Sequence, residues 1–529
     1  MKKTILTKII AAVVLTTTMI SCNKSLDLLP TNDVTSAQVY STANGYKQAF
    51  AKVYGAFALT GNQGPAGNGD VQGIDEGTSD FLRLFWKAQE LSTDEAVISW
   101  GDPGIQDFHN MNWSSSNPML KGLYYRSMYQ ITVANDFINQ SSDAKLSSRG
   151  ISDADATAIR KYRAEARFLR AFQYWVMMDL FGSAPFVTEN DAIGSTIPKQ
   201  ADRATLFAYI ESELKAIDPL LAAPKSNEYG RADQAAEWAL LARMYLNAQV
   251  YTGTARYTDA ITYASKVIGA GYSLISNYPW LMLADNNLNT SENIFTINYD
   301  GLKTQSYGGT TFLVHAPVGG SESAANFGIS GGWAGLRTTK ALVNLFPSTT
   351  STPDSRSQFY TSGQNLDIND VSTFTDGYLI TKFRNVTRGG AAGQSLEFSD
   401  IDFPLFRLSE MYFIYAEAFL RGGTGADLVT ATLYMNKIRE RAYGNINGDI
   451  LPTGLTLNYI LDERARELYW EGFRRTDLVR FGKFTDASYL WPFKGGVKAG
   501  TGVAAFRNIY PIPSDDLTAN PNLKQNTGY

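Results

Sequence analysis

Residues 457–484, LNYILDERARELYWEGFRRTDLVRFGKF, constrain the fold more than any other stretch of the chain. Leu457, Ile460, Leu461, Ala465 and Leu468 recur at helical spacing, so one stripe must face a core. Glu463 stands at i,i+3 from Arg466, and Glu471 at i,i+3 and i,i+4 from Arg474 and Arg475, spacings at which opposite charges meet on a helix surface. Gly472 is a poor interior helix residue and is expected to end the helix or admit another backbone. Thr476 or Asp477 is then expected to cap a second short helix through Leu478 and Phe481. The pattern asks for a helix–turn–helix with a charged face, and nothing in it is catalytic.

The same periodicity predicts helices over 36–57, 120–139, 156–181, 203–217, 232–248, 257–268, 404–421 and 428–441. Asp202 is placed to cap the fourth of these, and Gly182 and Pro185 stop the third. Two stretches break the pattern. Residues 61–117 open with six glycines between 61 and 77, then turn aromatic-rich, with Trp86, Trp100 and Trp113. Residues 280–400 are again rich in Gly, Ser, Asn and aromatics, with strands expected near 292–299 and 377–383 and a short helix at 338–346. The organisation expected is one mainly α domain over 36–529. Its helical scaffold spans about 36–60, 118–270 and 401–484, and carries two long irregular insertions at about 61–117 and 280–400. Long loops on a rigid scaffold are where function usually sits.

The wording of the C-terminal stretch is more specific than its periodicity. I-x-x-E-R-x-R-E-L-x-x-E-G-x-R-x-x-D-L-x-R-x-G, carried by residues 460–482, resembles the C-terminal helices of the SusD/RagB family. These are lipoproteins of Bacteroidetes that bind nutrients, chiefly glycans, beside an outer-membrane transporter. Arg407 with LSEMYFIYAEAFLRGG (408–423), MNKIRERA (435–442) and the tail YPIPSDDLTANPNLKQNTGY (510–529) resemble other segments of that family. The resemblance implies a tetratricopeptide-like α-α superhelix, no catalysis, an oligo- or polysaccharide ligand and a SusC-like TonB-dependent transporter as partner. Peptide capture is the alternative within the family.

Composition limits the other classes. Removing residues 1–21 takes away three lysines and no acids, so the formal net charge goes from −4 to −7, which argues against nucleic acid as a partner. Two histidines leave little for a histidine-based metal or catalytic centre. The single cysteine, Cys22, excludes an intramolecular disulfide. It follows a basic start (Lys2, Lys3, Lys8) and a short apolar run over 9–20, and Met19-Ile20-Ser21-Cys22 resembles a lipoprotein box. Residues 1–21 are thus read as a signal peptide, Cys22 as the lipidation site and 22–35 as a tether. The expected location is the outer membrane, at the cell surface, held by acyl chains alone.

Sugars are recognised by aromatic faces and by planar polar groups that pair with adjacent hydroxyls. The insertions offer Asp80, Arg83, Trp86, Trp100, Asp102, Tyr307, Trp333 and Arg337 as candidate glycan contacts, with Trp100 and Trp333 foremost. A glycoside hydrolase, the alternative of a different class, needs two carboxyls at a set separation. The adjacent pairs Asp75-Glu76, Asp94-Glu95 and Asp515-Asp516 do not supply that. No cofactor or metal site is expected. Asp367-Ile368-Asn369-Asp370 starts like a calcium loop but lacks its glycine and terminal Glu, leaving a structural calcium without support.

Overall fold

The computed structural model describes residues 36–529, apart from 66, 68, 76–77, 192–193, 195–196 and 350–352. The expected signal peptide, Cys22 and the tether lie outside the described residues. The body is built from α1 (Ala43–Ala58), α2 (Phe81–Glu90), α3 (Pro118–Gln140), α4 (Asp153–Leu180), α5 (Arg203–Ile217), α6 (Gln234–Leu246) and α7 (Tyr257–Ile268). The chain returns to it with α8 (Leu408–Leu420), α9 (Leu428–Tyr443), α10 (Leu457–Leu468) and α11 (Arg474–Arg480). Most of these helices start where a short polar side chain can take up an orphan N–H. Thr42, Asp80, Asn117, Ser152, Asp202, Asp233, Asp427 and Thr456 each accept from a backbone amide two or three residues on.

Successive helices pack pairwise in the tetratricopeptide-like manner: α3 on α4, α4 on α5, α6 on α7, α7 on α8 and α8 on α9, with α1 closing over α3 and α4. Strands are short: β1 (Val97–Ile98), β2 (Asn293–Ile297), β3 (Leu336–Arg337) and β4 (Phe403–Arg407) matter here. β2 and β4 pair antiparallel, with irregular register between Asn293 and Thr296. The start of the helix expected over 404–421 is therefore strand. The first insertion is also less irregular than expected, because α2 lies inside it with all ten residues buried.

The break between α10 and α11 falls where Gly472 put it. Gly472 has φ +82°, and a Cβ there would come within 2.9 Å of Cε1 of Phe85 in α2. Glu90, also in α2, accepts from the N–H groups of Gly472 (2.6 Å) and Phe473 (3.2 Å), and so caps α11 from outside. Thr476 and Asp477, expected as caps, sit within α11 instead. Thr476 bonds Asp179, and Asp477 bonds Arg464 and Arg480.

Glu471 corrects a second expectation. It lies past the end of α10, so helical spacing does not bring it to Arg474 or Arg475. Its carboxylate meets Arg407 (2.7 Å) and Lys382 (2.7 Å), while Arg474 pairs with Asp94 (2.7 Å). The expected pairing of Glu463 with Arg466 is present (2.7 Å), and Arg356 joins it from the second insertion (2.7 Å). Glu467, on the same helix, is bonded by Arg407 (2.5 Å) and by Arg441. All of these carboxylates are buried. Burial alone would raise Glu467, but Arg441, Arg407 and Arg356 hold it down, to about 2. A carboxyl whose folded value lies below its ordinary 4.5 stabilises the fold above that value and loses the contribution as pH falls. The urea midpoint is therefore expected to drop between pH 4.5 and about 2, and less so in Glu467→Gln.

Candidate functional site

The two insertions meet at a seam. β1 pairs antiparallel with β3, Val97 opposite Arg337 and Ile98 opposite Leu336, and the Ser99 N–H extends the ladder to the Gly335 carbonyl (2.9 Å). This seam brings Trp100, at the end of β1, beside Trp333, just before β3. Their ring centres are 6.3 Å apart at 43°, and the Trp100 indole N–H donates to the Trp333 carbonyl (3.2 Å). Gly335 makes the approach possible, since a Cβ there would fall 2.4 Å from the Trp100 ring. Tyr307 adds a third ring, 6.4 Å from Trp333, with its hydroxyl donating to Glu397 (2.7 Å). All three rings are half-buried.

Beneath them lies Arg83 of α2. Its guanidinium is 4.7 Å from the centre of Phe312, 5.7 Å from Trp100 and 5.9 Å from Trp333, and donates to the Tyr307 carbonyl (2.9 Å). Burial pulls it down to about 10, which leaves it charged at neutral pH. Asp102 stands exposed at the rim and Arg83 feels its charge. His315 stacks under Trp333 (4.8 Å, 24°), with Nδ1 against the Gly331 carbonyl, and burial lowers its titration. The result is a curved aromatic edge with a fixed cation behind it and carboxylates at its margin. It can stack on flat, hydroxyl-bearing faces and bond their oxygens.

Of the sequence candidates, Arg83, Trp100, Tyr307 and Trp333 converge, with Asp102 beside them. Three others do not reach this surface. Trp86 is fully buried, wedged edge-on against Trp470 and Phe312, with its N–H on the Trp470 carbonyl (2.9 Å). Arg337 is fully buried and spends its donors on the carbonyls of Gly335, Val371, Thr373 and Asp376. Asp80 is buried as the cap of α2 and accepts the Gly309 N–H (2.8 Å). Phe312, His315 and Glu397 were missed. The segment around the first two read as loop, whereas Gly309–His315 is a buried helix, all of whose residues face protein. The 367–370 segment is a turn gathered by Asp376, which accepts from Asn369 and Asp370. Among the described residues no three His, Cys, Asp or Glu side chains are grouped to hold a metal ion.

A helical-repeat body presenting an aromatic edge from two insertions defines a class of binding proteins, and sequence comparison places the chain within it: this protein belongs to the SusD family, whose members are non-catalytic binding proteins. The SusD family pattern covers residues 349–529, and the pattern described as "Starch-binding associating with outer membrane" covers 86–246. Starch-binding protein SusD of Bacteroides thetaiotaomicron is 36% identical over 98% of this chain and 97% of its own. SusD-like protein P2 of Formosa agariphila is 25% identical over 81% of this chain and 85% of its own. Among solved structures, surface glycan-binding protein A from Bacteroides thetaiotaomicron in complex with laminarihexaose superposes with a TM-score of 0.68 at 21% identity, covering 92% of this chain and 99% of that one. Its counterpart from Bacteroides fluxus gives 0.69 at 20%, covering 92% and 100%. No helix among the described residues is long and apolar enough to cross a membrane.

Proposed function

We propose that this protein captures oligo- or polysaccharide at the outer membrane, without cleaving it, and delivers it to a SusC-like TonB-dependent transporter. The observation that carries the reading is the convergence of Trp100, Trp333 and Tyr307 over Arg83. Three rings set at angles to one another offer faces on which sugar rings can stack. The starch-binding relative and the solved complex with laminarihexaose support a glucan ligand. Titration calorimetry with maltohexaose and laminarihexaose tests this. Binding of at least one probe, with its chain length unchanged after prolonged incubation, is the expected result; absence of binding, or shortened products, counts against it. The anchor is read from Cys22, so Cys22→Ala is expected to move the protein from the membrane to the soluble fraction. Co-purification of the transporter with the lipidated protein tests the delivery step.

A further inference from the structure

A second recess lies away from the aromatic edge, where residues 228–231 cross over the end of β2. Gly230 has φ +79°, and a Cβ there would lie 2.0 Å from Nδ2 of Asn298, so this segment rests flat on the strand's exit. The recess is about 300 Å³, at the lower end of the range for small-molecule sites. Tyr229, Tyr272, Asn227, Asp233, Asn293 and Thr296 are among the residues that line it. Most of its polar groups are committed. Asn227 donates to Glu165 and to the Ala232 carbonyl, Asp233 accepts from the amides of Lys225 and Ala236, and the Thr296 hydroxyl donates to Asn298. Asn293 is different. It is 6% exposed, its amide oxygen has no hydrogen-bond partner, and its amide nitrogen lies against the Tyr229 hydroxyl without a well-formed bond. A buried amide left in this state is costly, and an occupant carrying both donor and acceptor removes the cost.

The chemistry selects the occupant. A neutral amide with its oxygen open, set beside a tyrosine hydroxyl, matches a pair of neighbouring hydroxyls better than an anion or a metal ion. Tyr229, 37% exposed, supplies a face for a ring, whereas Tyr272 is 8% exposed and has Lys225 over its ring. A polar path also joins this recess to the aromatic edge. Residues 300–307 run beside 397–402, tied by Tyr307 to Glu397 (2.7 Å) and by the Gly301 N–H to Asp400 (2.7 Å). At the far end of the path Tyr229 bonds Asp402 (2.8 Å). Between them is a hollow of about 480 Å³ lined by Tyr229, Asn298, Asp300, Gln394 and Asp400, among others. We propose that the recess at Asn293 is a second saccharide subsite, holding one sugar unit against Tyr229. This inference rests on the saccharide reading of the protein but not on the residues of the aromatic edge.

The test uses the full chain, with maltohexaose and laminarihexaose as probes. Replacing Trp100 and Trp333 together by Ala is expected to leave a weaker, saturable binding event detectable by saturation-transfer NMR. Adding Asn293→Leu to that variant should weaken the residual event about ten-fold, as expected for the loss of a donor–acceptor pair. Leu has nearly the size of Asn and removes an unsatisfied amide, so folding should be retained or improved. Tyr229→Ala, added in its place, is the independent second variant and should act in the same direction. The inference is overturned if the tryptophan variant shows no residual binding, or if that binding ignores both added substitutions. In either case the wild-type protein still binds, and the reading of the aromatic edge survives. If the wild type binds neither probe, the saccharide reading falls and the subsite falls with it.

Discussion

Glu471→Ala is expected to lower folding stability by about 3–5 kcal/mol, the range for removing one partner of a buried ion pair. The carboxylate is fully buried between Arg407 and Lys382. Without it, Lys382 keeps the Tyr469 carbonyl (2.7 Å) and the faces of the Tyr469 and Tyr278 rings but no carboxylate at bonding distance, in surroundings where burial already lowers its titration. Arg407 retains Glu292 and Glu467 but loses the bonds of Nε and one of those made by Nη2. Urea titration followed by circular dichroism measures the effect. Glu471→Gln, which keeps an acceptor oxygen, should lose less. Lys340→Ala, which breaks an exposed pair with Asp367, should lose little. An unchanged midpoint in Glu471→Ala would mean that the pair contributes nothing and that the charged interior is misdescribed.

Trp333→Ala is expected to weaken glucan binding by about 1–3 kcal/mol, roughly 5- to 150-fold, with helix content unchanged. The indole is half-buried, touches Trp100, Tyr307 and His315, and belongs to no helix. Trp100→Ala should act similarly, although its N–H also holds the Trp333 carbonyl, so part of its effect comes from losing the shape of the edge. Intrinsic fluorescence should shift when a bound glucan is added to the wild type, and that shift should shrink in both variants. Trp86→Ala supplies the contrast: its fully buried ring makes it a folding variant rather than a binding one. Normal affinity in both Trp100→Ala and Trp333→Ala would show that the ligand lies elsewhere.

The difference between Trp86 and Trp100 marks how far the sequence could be read. Both stand in the first insertion among charged neighbours. Helices with one apolar stripe declare themselves, and α4, α5, α7 and α9 fall within a few residues of their expected bounds. α2 also has an apolar stripe, with Phe81, Leu84, Phe85 and Ala88 opposite Arg83, Lys87 and Glu90, but it is only ten residues long and its charged side is turned into protein as well. A short stripe with a charged opposite side does not announce that both sides are buried, so Trp86 looked available. Arg337 failed for the same reason. Arginine is seldom fully buried, and nothing local announces four carbonyls waiting for it from residues 335–376. The partners of Glu471 lie 64 and 89 residues upstream, beyond any spacing rule. Gly472 was legible because a single residue's backbone demand is local. Trp100 and Trp333 were legible as residue types on loops, and their meeting depends on a strand pairing two residues long.

That short pairing has a thermodynamic consequence. Trp100 and Trp333 lie 233 positions apart in sequence and are joined by the buried β1–β3 ladder. A sugar laid across both rings touches both sides of the ladder at once, so it binds the closed arrangement and not an opened one. Its binding free energy is then added to the work of opening the ladder, by RT ln(1 + [L]/Kd). The amides that bridge the two insertions, including Ser99 N–H, should exchange with solvent more slowly by that factor as ligand saturates, while the amides of α6 and α7 keep their own rates. A sugar held at the proposed site would thus act as a reversible cross-link between the two insertions.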